Sequence, residues 1–220
     1  MKSLLIIMLC LLAYANAGDV NSNDVKDISK IRCGNLVYAG TKSSVCFANK
    51  FLSRVSTKTQ IKVASTFKDV KLGSEDLFET PFCVFSGEGS FSLSKIEKSN
   101  VKKYLTNGGF ILASPGCSNA EWDIAFKAMF KEIFPENKLQ KIAMDHPIFN
   151  LIYKVKTLHL KSGGTTKLEG LFIDKRLVMV YSKEGLNDVK NAKGCCCCGG
   201  NEIKESQMVN VNILTYSLLH

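Results

Sequence analysis

Tyr104-Leu-Thr-Asn-Gly-Gly-Phe-Ile-Leu-Ala-Ser-Pro-Gly-Cys-Ser-Asn119 decides the fold of this 220-residue chain. It reads as the last turn of a helix, a glycine stop, a buried strand, a tight turn carrying a thiol, and the start of a second helix. Apolar residues run without alternation from Phe110 to Ala113, the pattern of a strand covered on both faces. In open α/β sheets, the loops leaving the carboxyl ends of such strands are where ligands and reactive groups collect.

The flanks support that reading. Ser94-Lys-Ile-Glu97 is a capping box that opens the first helix, and Asn107-Gly108-Gly109 closes it. Ser118-Asn119-Ala120-Glu121 opens the second, which lines Trp122, Phe126, Met129, Phe130 and Ile133 along one face until Pro135. Strands are expected at residues 31–38, 67–72, 81–85 and 139–144, with a hairpin at 168–173 and 177–181. Helices are expected around Phe47, Phe51, Leu52 and Val55, and over residues 208–219. Alternating strands and helices predict an α/β domain with a mostly parallel sheet.

Residues 1–17 stand apart. Lys2, an apolar run over 4–12 and Ala15-Asn16-Ala17 form the pattern of a secretory signal peptide. Residues 18–29 read as a flexible lead-in, and 30–220 as a single domain. No later apolar run is long enough for an integral membrane segment, so the expectation is an exported protein, periplasmic or secreted. Loss of Lys2 lowers the formal charge from +9 to +8, and the lysines are scattered rather than striped. That argues against nucleic acid and for a basic surface suited to an anionic envelope polymer or a protein partner.

If every strand-to-helix loop leaves the sheet at one edge, several reactive groups converge. Glu88 follows one strand, Cys117 and Ser118 the next, and Asp145-His146 a third. Catalytic candidates are thus Cys117 as nucleophile, His146 as base and Glu88 as acid or metal ligand. Gly87, Gly89, Gly116, Ser118 and Asn119 are candidate ligand-binding positions. Each also has a plainer role: Cys117 as a small residue capping a strand, His146 as a turn residue bonded to backbone. Cys46 and the run Cys195, Cys196, Cys197 and Cys198 complete the set. Two of those four with Cys117, Cys46 or His146 would give a tetrahedral zinc site. Pairing with Cys33, Cys46 or Cys117 as disulfides is the alternative.

Five further motifs carry a family resemblance. Leu77-Phe78 with Pro81-Phe82, Gly87-Glu-Gly-Ser-Phe91, Leu105-Thr-Asn-Gly-Gly-Phe-Ile-Leu112, Asp145-His-Pro-Ile-Phe149 and Val211-Asn-Ile-Leu214 occur in order. Together they resemble a bacterial family known as domain of unknown function 4159. The resemblance implies a three-layer, flavodoxin-like fold related to class I glutamine amidotransferases, with no established activity. The amidotransferase elbow, Gly-x-Cys-x-Gly, lacks its second glycine here, and no late His-x-Glu follows His146. The expected function is therefore an exported amidotransferase-like binding or assembly module with a thiol-rich ligand or metal site. The alternative is a cysteine-dependent amide or ester hydrolase using Cys117 and His146.

Overall fold

The computed structural model describes residues 30–43, 47–187 and 202–220. The expected signal peptide and lead-in, Cys46 and the run Cys195, Cys196, Cys197 and Cys198, with the zinc site or disulfides expected there, lie outside the described residues. Residues Ile31–His220 form one compact unit.

Nine strands are described: β1 (Cys33–Val37), β2 (Lys68–Lys71), β3 (Phe82–Phe85), β4 (Phe110–Ala113), β5 (Gln140–Lys141), β6 (Leu158–His159), β7 (Thr165–Thr166), β8 (Glu169–Ile173) and β9 (Arg176–Tyr181). Four helices join them: α1 (Lys50–Lys58), α2 (Lys95–Thr106), α3 (Ala120–Ile133) and α4 (Ser206–Leu219). Seven strands make one sheet in the order β2-β1-β3-β4-β9-β8-β5, and β6 pairs with β7 as a separate hairpin. The five strands from β2 to β9 are parallel, whereas β8 and β5 each run antiparallel to the preceding neighbour. The expected mostly parallel α/β sheet is therefore present.

Both faces of the central strands are covered, which is why they lack polar alternation. Phe82, Val84, Phe110 and Leu112 face α1 and α4. Cys83, Phe85, Ile111 and Ala113 face α2 and α3. The result is three layers. α2 begins as expected, with both arms of the capping box at Ser94 and Glu97 formed, and it ends where Gly108 takes φ +106°. α3 buries Trp122, Phe126, Met129, Phe130 and Ile133, and the Asn119 side chain caps it by accepting from the Trp122 amide.

Three expectations are revised. Residues 31–38 pair as a strand only over Cys33–Val37, with isolated bridges from Ile31 to Val63 and from Tyr38 to Lys42 outside it. The strand expected over 139–144 shrinks to β5, which meets β8 over two residues before Asp145-His146-Pro147 turns the chain away. α4 starts at Ser206 and is buried almost all round, asparagines included. Asn212 satisfies itself by accepting from the Ile152 and Tyr153 amides and donating to the Tyr153 carbonyl, so an interior polar residue costs little.

The β8–β9 hairpin turns through Asp174 and Lys175, both at positive φ, as a two-residue loop of the primed type demands. Cys33 and Cys83 hold free thiols on opposite faces of the sheet, both fully buried. Burial pushes both thiols up, Cys83 to about 12, so neither is a nucleophile at neutral pH.

Phe126 is fully buried and stacks on Trp122 at 5.1 Å and on Tyr181 at 4.6 Å, joining α3 to β9. Phe126→Ala should lower stability by about 3–5 kcal/mol, read as a shift of the urea midpoint with little change in slope.

Candidate functional site

The carboxyl ends of β1, β3 and β4 lie side by side, and the loops leaving them build one small polar edge. The Ser114 amide donates to the Phe85 carbonyl at 3.1 Å and the Gly116 amide to the Gly87 carbonyl at 2.7 Å, so the loops after β3 and β4 stay paired beyond the strands. Tyr38, just past β1, is fully buried. Its hydroxyl accepts from Trp122 Nε1 at 2.7 Å and donates to the Ser86 carbonyl at 3.1 Å. Burial raises this phenol to about 12, which keeps the donor in place. A Cβ on Gly87 would overlap the Tyr38 hydroxyl, so only glycine passes here.

At Cys117 the chain turns sharply from strand to helix. Cys117 takes φ 52° and ψ 30°, and Ser118 also has φ 52°. Left-handed backbone costs of order 1–3 kcal/mol at a residue with a side chain. The turn is held by Asn119, whose Oδ1 accepts from the Gly89 amide at 3.0 Å and the Trp122 amide at 2.9 Å. In that geometry Cys117 Sγ donates to Glu88 Oε1 at 3.3 Å. Lys42, from the turn after β1, donates through Nζ to the Glu88 carbonyl at 3.4 Å. Glu88 is exposed, and Cys117 and Ser118 are half-buried.

Glu88, Cys117, Gly87, Gly89, Gly116, Ser118 and Asn119 are thus brought together. Gly87, Gly116 and Asn119 shape the edge through their own bonds, and the groups it presents are the Cys117 thiol, the Glu88 carboxylate and the Ser118 hydroxyl. Sequence patterns missed Lys42 and the Tyr38–Trp122 lock. A lone lysine in a turn carries no signal, and the lock spans 84 positions.

His146 is elsewhere, which corrects its expected place beside Cys117. Its ring lies 5.2 Å from Tyr216 and 5.9 Å from Phe172. Tyr216 in turn meets Phe110, the first residue of β4, whereas Cys117 follows the last. After the short β5 the chain folds back across the α1–α4 face instead of staying at the edge. There His146 caps the short Pro147–Phe149 turn, its Nδ1 accepting from the Ile148 amide at 3.4 Å. The other two imidazoles are engaged as well, His159 with Glu205 at 2.8 Å and His220 against the Tyr216 ring at 4.7 Å.

The family model described as "Domain of unknown function (DUF4159)" matches residues 35–218. The chain belongs to this family. No curated protein matches the sequence. The matched span includes the whole edge from Tyr38 to Asn119 and the displaced His146.

The local physics sets two expected outcomes. Gly87→Ala should cost roughly 1–3 kcal/mol by overpacking, and Tyr38→Phe in the same chain should recover part of that loss, a double-mutant coupling read by urea unfolding. Burial lowers the His146 imidazole below its usual 6.5, with the His220 charge adding and Asp145 opposing. Because the folded ring resists protonation, the unfolded chain takes up the proton first as pH falls through 6.5. Its contribution, full above 6.5, is lost as the pH falls below 6.5 and through the lowered folded value. His146→Asn keeps an acceptor for the Ile148 amide and should flatten the fall of the urea midpoint between pH 7 and pH 5.

Proposed function

We propose that this chain is an exported, amidotransferase-like domain of flavodoxin-like topology that acts as a binding module through the edge carrying Cys117 and Glu88. The strand order β2-β1-β3-β4-β9 supports the topology, since it is the doubly wound order with β9 as fifth strand and β5 to β8 as an insertion. In such sheets the order reverses between β1 and β3, and ligands settle at the carboxyl ends there. The turn holding Lys42 and the loop holding Glu88 leave the sheet at that reversal. The signal-peptide pattern over 1–17 supports export.

The observation that carries the reading is the Cys117 Sγ–Glu88 Oε1 contact at 3.3 Å, set in a braced turn with every imidazole engaged elsewhere. An ammonium, a carboxylate, a hydroxyl and a thiol on one edge suit a polar ligand that both donates and accepts hydrogen bonds. A small-molecule screen followed by amide chemical shifts should gather its hits on Ala39, Lys42, Glu88, Ser118 and Asn119. Cys117→Ala should weaken those hits by roughly fivefold, the worth of one hydrogen bond. Hits that ignore this edge would overturn the reading.

A second reading, hydrolysis of an amide or ester, is favoured by the left-handed turn at Cys117, which thrusts a nucleophile out of a strand-to-helix elbow. With His146 displaced, Glu88 takes its place as base. The thiol proton passes to the carboxylate, sulfur adds to the carbonyl carbon, and the amine or alcohol leaves with that proton. Water then frees the acid from the thioester.

Iodoacetamide and p-nitrophenyl acetate separate the two. Glu88→Gln removes a like charge beside the attacking sulfur anion, so alkylation of Cys117 should speed up several-fold. If the protein is instead a hydrolase with Glu88 as base, Glu88→Gln should slow both the alkylation and the turnover of p-nitrophenyl acetate; a binding module releases no nitrophenol beyond one acetyl group per accessible thiol. Cys33 and Cys83 should stay unlabelled until the protein unfolds.

A further inference from the structure

A concavity lies beside the outer strands β9, β8 and β5. It has a volume of about 360 Å³, and Lys127, Lys141, Lys167 and Lys183 ring it with Thr165 and Thr166. Glu169 and Glu184 are the acidic members of the wall. The four lysines come from four places: Lys127 from α3, Lys141 from β5, Lys167 from the β7–β8 link and Lys183 from just past β9. Scattered in sequence, they are gathered by the topology.

We infer that this cleft binds an oligoanion, a ligand carrying several phosphate or carboxylate groups. Three observations point there. Lys141, Lys167 and Lys183 have no carboxylate within ion-pair distance among the described residues. The acidic groups of the wall are outnumbered: Lys141, Lys167 and Lys183 face two carboxylates, Glu169 and Glu184, and Glu184 Oε2 already accepts from the Thr166 hydroxyl at 2.9 Å. The fourth lysine is fixed, Lys127 being held by Asp123 at 2.9 Å with its ammonium 5.7 Å from the Tyr181 ring centre.

A solvated basic face would be flat and drawn from one element. This one is concave and drawn from several, and part of its wall is braced before any ligand arrives. Ammonium groups facing one hollow repel each other, and an anion spanning them relieves that repulsion at several points at once. A single anion reaches one or two lysines, whereas a chain of anionic groups follows the rim.

The full mature chain, titrated calorimetrically at low salt with inorganic tripolyphosphate and separately with triglutamate, tests this. The two arms distinguish a phosphate from a carboxylate source. Saturable one-to-one binding of either is expected, weakened at least roughly tenfold when Lys141, Lys167 and Lys183 are all changed to Gln. A control with Lys62, Lys102 and Lys138 changed to Gln carries the same net charge and should bind as wild type does. Should the cleft triple fail to fold, Lys183→Glu alone gives the same comparison. No saturable binding in either arm, or equal weakening by cleft and control variants, overturns the inference.

Discussion

One buried phenol holds the working edge in register. The Tyr38 hydroxyl, just past β1, accepts from Trp122 on α3 and donates to the Ser86 carbonyl just past β3. Two strands and a helix are tied at a single oxygen. Because that oxygen has no access to water, losing either partner would strand a buried polar group, at a cost of about 1–3 kcal/mol. The lock fixes where α3 begins, and therefore where the Cys117 turn must fit. Gly87 is glycine for the same reason: the lock fills the space a side chain would need.

The lock works because the sheet beneath it is rigid. With Phe82, Val84, Phe110 and Leu112 packed on one face and Cys83, Phe85, Ile111 and Ala113 on the other, neither β3 nor β4 can shift without exposing apolar surface. Two left-handed residues in succession persist at Cys117 and Ser118 only because the surroundings over-determine them. Core packing is thus what sets the thiol–carboxylate contact. The two buried thiols contribute volume and no chemistry.

Local chemistry made much of this legible in the sequence. The capping box at Ser94, the glycine stop at Gly108 and the apolar spacing from Trp122 to Ile133 each involve residues a few positions apart, and each formed as expected. The strand at Phe110–Ala113 was readable because burial on two sides leaves no alternation. What could not be read depends on distant pairing. β5 keeps only two residues because its partner β8 meets it over two, and nothing in residues 139–144 encodes that register. Lys42 and Tyr38 reach the site through contacts formed only when the sheet assembles.

His146 shows why convergence by topology is a conditional argument. A loop stays at the carboxyl edge when its strand is long enough to carry the chain there and a helix carries it back. β5 satisfies neither condition, since two paired residues give way to a proline-bearing turn rather than a full helix. The apolar side chains of that turn, Ile148 and Phe149, are fully buried with Val209, Val211 and Ile213 of α4, and hydrophobic burial outweighs any tendency to stay at the edge. The imidazole is drawn along with them and spent on capping the turn. The edge is left with a thiol and a carboxylate, a pair that hydrogen-bonds readily but, once sulfur is an anion, repels. Catalysis at such a pair needs the carboxylate to hold the proton through the step, whereas ligand binding asks only that both groups stay where the lock puts them. That asymmetry is the physical reason the binding reading stands ahead of the hydrolytic one.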